Sequence, residues 1–173
     1  VVVACGDGSD AEVIGTAGKL AARFGAQVSV TPAFPDPAAD LVYYGAALQT
    51  APEAVERIIA SERAAQERLE SLGRDVAARE SVMISVEKRS LMPAVTLAPA
   101  AILADLVLFA GAAARSAIAP LFAETLLSTR APTLLTKGAA FAGGPVAIAW
   151  DGSGQAARAV RAAMPLLQAA SGV

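Results

Sequence analysis

Asp7-Gly8-Ser9 is the first place in the chain where residue types and spacing suit chemistry. A carboxylate and a hydroxyl flank a glycine directly after a short apolar run. Such a triplet either contacts a ligand or folds as an Asx turn and helix cap. The same letters return as Asp151-Gly152-Ser153, again after an apolar run, and Asp151 and Ser153 carry the same two readings. The chain has no histidine, which removes His-based triads, His general bases and His-ligated metal sites. Its single cysteine, Cys5, lies in an apolar run and reads as a packed core thiol, compatible with a reducing cytoplasm.

The elements that must position these residues follow from periodicity. Residues 1–5 are apolar and rich in β-branching, so they read as a strand buried on both faces. Ser9 or Asp10 then caps a helix with Val13, Ile14, Ala17, Leu20, Ala21 and Phe24 on one side, and Gly25 stops it. Residues 27–30 form the next strand, giving a βαβ unit that favours a parallel sheet. Residues 31–51 hold Pro32, Pro35, Pro37 and Gly45 and read as a long connection with a short helix near 43–48. Pro52 starts a long helix predicted to end at Gly73, with a mixed-charge, solvated outer face. Strands are predicted at 82–86, 105–110 and 132–137, and helices at 93–103 and 120–130. The result is an α/β domain: an open, doubly wound, parallel five-stranded sheet with helices on both faces.

Hydrophobic residues make up 55% of the 173 residues and charged ones 17%, with a net charge of −2. This composition excludes a disordered tail, and without a basic stripe no nucleic-acid partner is expected. The apolar excess points to an interface. No uninterrupted apolar span reaches membrane-crossing length; residues 91–114 come nearest but are broken by prolines and Asp105, so no membrane partner is expected. No signal peptide is visible, and the chain opens at Val1 inside a strand, as if its natural start lay upstream.

The Asp-Gly-Ser recurrence has domain spacing. Residues 146–150 read as another strand and 155–170 as another helix. The expected organisation is one domain over 1–142, followed over 143–173 by the first strand and helix of a second, truncated repeat.

In order and spacing these parts resemble the universal stress protein family. The matching parts are Gly6-Asp7-Gly8-Ser9, the helix to Phe24, the loop from Gly111, and Ala131-Pro132-Thr133-Leu134-Leu135. The resemblance implies strand order 3-2-1-4-5 and pairing, as a homodimer or between tandem domains, through the fifth-strand edge. It implies a cytoplasmic stress-response protein that binds rather than catalyses. Nucleotide-binding members carry a glycine, two residues, a second glycine, nine residues, then Gly-Ser or Gly-Thr, while the Asp of the opening strand lies near the nucleotide sugar. By that resemblance Asp7, Gly8, Ser9, Gly111, Ala114, Arg115, Glu124 and Thr125 line the pocket. This chain keeps Gly111 but has Ala114 and Glu124 in the other glycine positions. A Cβ at Ala114 intrudes on a backbone cradle, and a Glu124 carboxylate in the first helical turn would occupy the anion site. Arg115 offsets this only if turned inward. The resemblance implies ATP or another adenine nucleotide; the residues argue against tight triphosphate binding, so no cofactor is expected.

Three rivals are weaker. A phosphoacceptor receiver domain needs an Asp after the third strand, which ends in Glu87-Lys88-Arg89, and an acidic pair after the first, where one residue follows. A nucleotide-processing enzyme lacks a Walker lysine loop. A flavin carrier has only Trp150, Tyr43 and Tyr44 to stack on the ring.

Overall fold

Residues 1–34, 52–88, 93–137 and 143–173 are described in a computed structural model. β1 (Val2–Ala4), β2 (Val28–Pro32), β3 (Ile84–Val86), β4 (Val107–Ala110) and β5 (Thr133–Thr136) form one sheet. Its order is β3-β2-β1-β4-β5, with every neighbouring pair parallel. This is the expected α/β architecture and strand order. It also differs from the flavodoxin-like order 2-1-3-4-5, in which the third strand flanks the first. Here β4 flanks β1 and β3 is an edge, so neither a receiver nor a flavodoxin arrangement is formed.

β1 is central and wholly buried because both faces are covered. Val2 and Ala4 enter one core cluster with Val13, Ile14, Leu20, Val30, Leu69 and Val76, under α1 (Asp10–Phe24) and α2 (Pro52–Glu80). Val3 enters the other with Leu97, Ala101, Val107 and Phe109, under α3 (Pro93–Ile102) and α4 (Ala119–Ser128). The side-chain alternation of a strand thus feeds two helix layers.

α1 ends as its glycine predicts. Gly25 has φ 64°, and its N–H bonds back to the Ala21 carbonyl. α2 departs from expectation, running through Gly73 to Glu80. A Cβ on Gly73 would lie 2.9 Å from Val86 Cγ2, so this glycine serves a close helix-to-strand approach. The chain turns instead at Ser81, with φ 56°. The charged face of α2 is solvated as expected, with Arg63 and Glu67 paired at 3.1 Å one turn apart and both exposed. The short helix expected near 43–48, with Tyr43 and Tyr44, lies outside the described residues.

The tail also departs from its prediction. Residues 146–150 join no ladder; Val146 N–H bonds Gly172 O at 2.9 Å. A strand needs a hydrogen-bonding neighbour, and no described segment offers one here. The expected helix over 155–170 is split into α5 (Gly154–Ala162) and α6 (Met164–Gln168), with Pro165 in the first turn of α6. No described helix is long and apolar enough to cross a membrane.

Candidate functional site

Pairing of β1 with β4 sets the ends of these strands side by side where the chain order reverses, the position at which open α/β sheets bind ligands. The loops carrying Asp7 and Gly111 leave the sheet from this edge.

On the β1 side, Asp7 Oδ1 accepts from Ser9 N–H at 2.8 Å and from the Ser9 hydroxyl at 2.5 Å. This is an Asx turn, and it occupies the Ser9 hydroxyl. Ser9 stands at the N-cap of α1 but makes no side-chain cap bond. Gly6 turns the chain with φ 79°, its missing Cβ leaving room for the Phe34 ring. Around Gly8 the space is open.

Asp10 is the residue that sequence reasoning left to helix capping. It is buried, and its Oδ1 accepts from Cys5 N–H at 2.8 Å, lacing β1 to α1. An acidic pair, Asp7 and Asp10, therefore does follow the first strand, contrary to the single residue read there. The signal was available: an Asp opening a helix directly after a buried strand can turn back toward that strand. Burial pushes its carboxyl up to about 6, against the lowering effect of the Cys5 N–H. A carboxyl with a raised folded pKa holds its proton more readily in the folded chain. Its stabilising contribution is full below about pH 4 and is lost as pH rises through about 6. The loss should be about 1–3 kcal/mol, the lower end allowing for solvent screening. Urea midpoints taken from pH 4 to pH 7 should fall in the wild type and flatten in Asp10→Asn. Burial, with Asp7 and Asp10 nearby, pushes the Cys5 thiol to about 12, so at neutral pH it is not an activated nucleophile.

On the β4 side, a Cβ on Gly111 would lie 2.5 Å from the Thr136 carbonyl oxygen. Its bareness is thus required by the neighbouring strand. A 3-10 turn, Ala113–Arg115, follows, with Ala114 and Arg115 exposed. The Ser116 hydroxyl closes this turn, donating to Ala113 O at 3.1 Å and accepting from Ile118 N–H at 3.3 Å.

α4 begins at Ala119, five residues before Glu124. Glu124 consequently lies in the second turn and is exposed, not in the first turn where it would meet an anion. Thr125 is buried and its hydroxyl donates to Leu121 O at 2.8 Å, within the helix. Asp7, Gly8, Ser9, Gly111, Ala114 and Arg115 thus belong to the two loops at the switch point, while Glu124 and Thr125 lie farther along α4. The family-like spacing overruns here because the helix starts soon after Ser116. Among the described residues no group of three or more His, Cys, Asp or Glu side chains is placed to hold a metal.

A cleft of about 950 Å³ opens at the opposite, amino ends of the strands, walled by Leu20, Phe24, Leu103 and Leu106. Its walls are mainly apolar, unlike the loops at the switch point.

One bond of the Asp7 turn recurs at Asp151, where Ser153 N–H donates to Asp151 Oδ1 at 2.9 Å, but the backbones differ: Gly152 has φ 80° and Ser153 is extended, whereas Gly8 has no positive φ and Ser9 is helical. Hydrogen bonds from Ser153 hold the Asp151 carboxyl below the usual carboxylate range. Ser153 additionally caps α5 through Ala156 N–H, at 3.0 Å. No protein-family model matches the chain, and no curated protein matches its sequence.

Proposed function

We propose that the chain is a non-enzymatic, cytoplasmic regulatory domain of the universal stress protein kind, acting by binding and by pairing of domains. Its nucleotide-type pocket lies between the Asp7 and Gly111 loops and does not hold a triphosphate tightly. The observation that carries this reading is the meeting of the two loops at the β1/β4 reversal in a 3-2-1-4-5 sheet. The Asp-Gly-Ser triplet and its Ser N–H to Asp Oδ1 bond, common to Asp7 and Asp151, support a tandem organisation, with 1–142 as one domain and 143–173 as the opening of a repeat. Leu135 on the β5 edge and Leu127 on α4 are exposed, Leu127 at 83%, as a paired edge requires.

The weakness toward triphosphate rests on two things: Ala114 in place of a bare glycine, and Gly111 held against Thr136. The alternative, an ATP-binding universal stress protein with weak or no hydrolysis, is favoured by one observation, that Glu124 stands clear of the helix start.

Calorimetry with ATP, ADP and AMP decides between them. Wild type should give no saturable heat with ATP below about 1 mM. Ala114→Gly should gain binding by about tenfold or more, and Glu124→Gln should change nothing. Micromolar ATP binding by the wild type would establish the alternative.

A further inference from the structure

We propose that Asp10 is a proton-operated latch on the loop that carries Asp7. β1 stops at Ala4, whose carbonyl still accepts from Ala33 N–H at 2.7 Å. The next N–H, that of Cys5, bonds not to a strand but to Asp10 Oδ1, at 2.8 Å. The N–H groups of Gly6 and Asp7 also point to this carboxyl and favour its charged form. One side chain, 5% exposed, thus gathers the successive amides of the turn.

The segment beyond has room to shift when those bonds weaken. Gly6 turns it away from β1 with φ 79°. Asp7 and Ser9 are tied to each other by the Asx turn, and a methyl added at Gly8 would meet nothing within 4 Å.

Charge and burial oppose each other at Asp10. Ionised, the carboxylate makes charge-assisted bonds to the loop but bears the cost of leaving water. Protonated, it sheds that cost and keeps only neutral bonds. Acid therefore steadies the domain while it loosens the loop. A carboxylate with a purely structural role would move both in the same sense.

Among the described residues, Asp7 is the ionisable neighbour whose charge acts on Asp10, and its like charge favours the protonated form. The Cys5 thiol stays neutral. β1, β2, β4 and β5, which pack on α1, carry no charged side chain. From α2, the Arg79–Glu80 pair meets α1 near Gly15 and Gly18, beyond the first turn. Glu12, two positions along α1, faces another side of the helix. The loop is one wall of the candidate pocket, so proton uptake adjusts that wall. This consequence rests on the reading of the pocket above, whereas the latch belongs to the free chain.

The test uses the full chain without ligand, isotope-labelled, with amide shifts and exchange protection followed from about pH 4.5 to about pH 7.5. The Cys5, Gly6 and Asp7 amides should shift together with a midpoint of about 6, and those of Gly111 and Ala112 should not follow. Below the midpoint, protection of the Cys5 amide should fall about tenfold, the difference between a charge-assisted and a neutral bond. The urea midpoint should rise over the same range. Asp10→Asn should abolish the titration and hold the Cys5 amide at its acid protection throughout. Asp7→Ser, which keeps a turn-forming oxygen, should preserve the titration and lower its midpoint. A midpoint of about 4, as for an exposed carboxylate, would overturn the proposal. So would titration that survives in Asp10→Asn, or loop protection and global stability that move in the same direction.

Discussion

Gly111→Ala should lower stability by about 1–3 kcal/mol, and Gly8→Ala should leave it unchanged or raise it by about 0.4–1 kcal/mol. The two glycines stand in the two loops of one candidate pocket, and neither has a positive φ. At Gly8 an added methyl meets nothing within 4 Å, so the reduced freedom of the unfolded chain is the main effect. At Gly111 the methyl would meet the Thr136 carbonyl at 2.5 Å and Lys137 Cβ at 3.3 Å. The first neighbour is backbone in a ladder, so relief requires β5 to move away from β4. Urea unfolding of both variants in parallel measures the contrast. Equal midpoints would mean that Gly111 is not held bare by the sheet, and would return it to a role at a ligand.

The largest single loss should come from Phe109→Ala, about 3–5 kcal/mol. Phe109 is fully buried on β4 and meets Phe122 of α4 edge-on, centroids 5.2 Å apart at 83°. Removing the ring empties the layer between the sheet and α4, which also carries the candidate pocket's second loop. Phe122→Leu should cost less, since Phe122 is only partly buried. The double variant should lose less than the sum of the two, because the edge-on pair contributes about 0.5–1.5 kcal/mol beyond burial. Denaturant midpoints of the four proteins give the coupling. Strict additivity would show that the rings do not support each other. Both losses are large beside the 5–15 kcal/mol that ordinarily holds a domain together.

What the sequence disclosed was local. β-branched runs gave the strands, and a helix with its glycine cap gave α1, because those signals depend on neighbours a few residues away. The parallel sheet followed from alternation, while the strand order came from resemblance, since no periodicity encodes which strand lies beside which. Gly73 shows the limit: a glycine at the end of an apolar stripe reads as a stop, and only the position of Val86 reveals it as a close approach. Glu124 would meet an anion only from a first helical turn, and the helix start read at 120, observed at Ala119, sets it in the second. Asp10 was overlooked because its partner, the Cys5 N–H, lies across a turn. Residues 146–150 have the letters of a strand, but strand formation is a property of two segments and not of one.

α2 spans 29 residues, about 43 Å, against strands of three to five residues. Among the described residues its buried hydrophobic anchors are Ala65, just ahead of the midpoint, and Leu69 and Val76 in the rear half, while Ile59 near the front is 59% exposed. Gly73 rests on β3, an edge strand of three residues with a single neighbour. The helix is therefore a lever with its fulcrum near Ala65, bearing on that edge strand at Gly73, eight residues farther on. A sideways load on the front turns is magnified at the rear, and β3 is the strand such leverage would prise loose first.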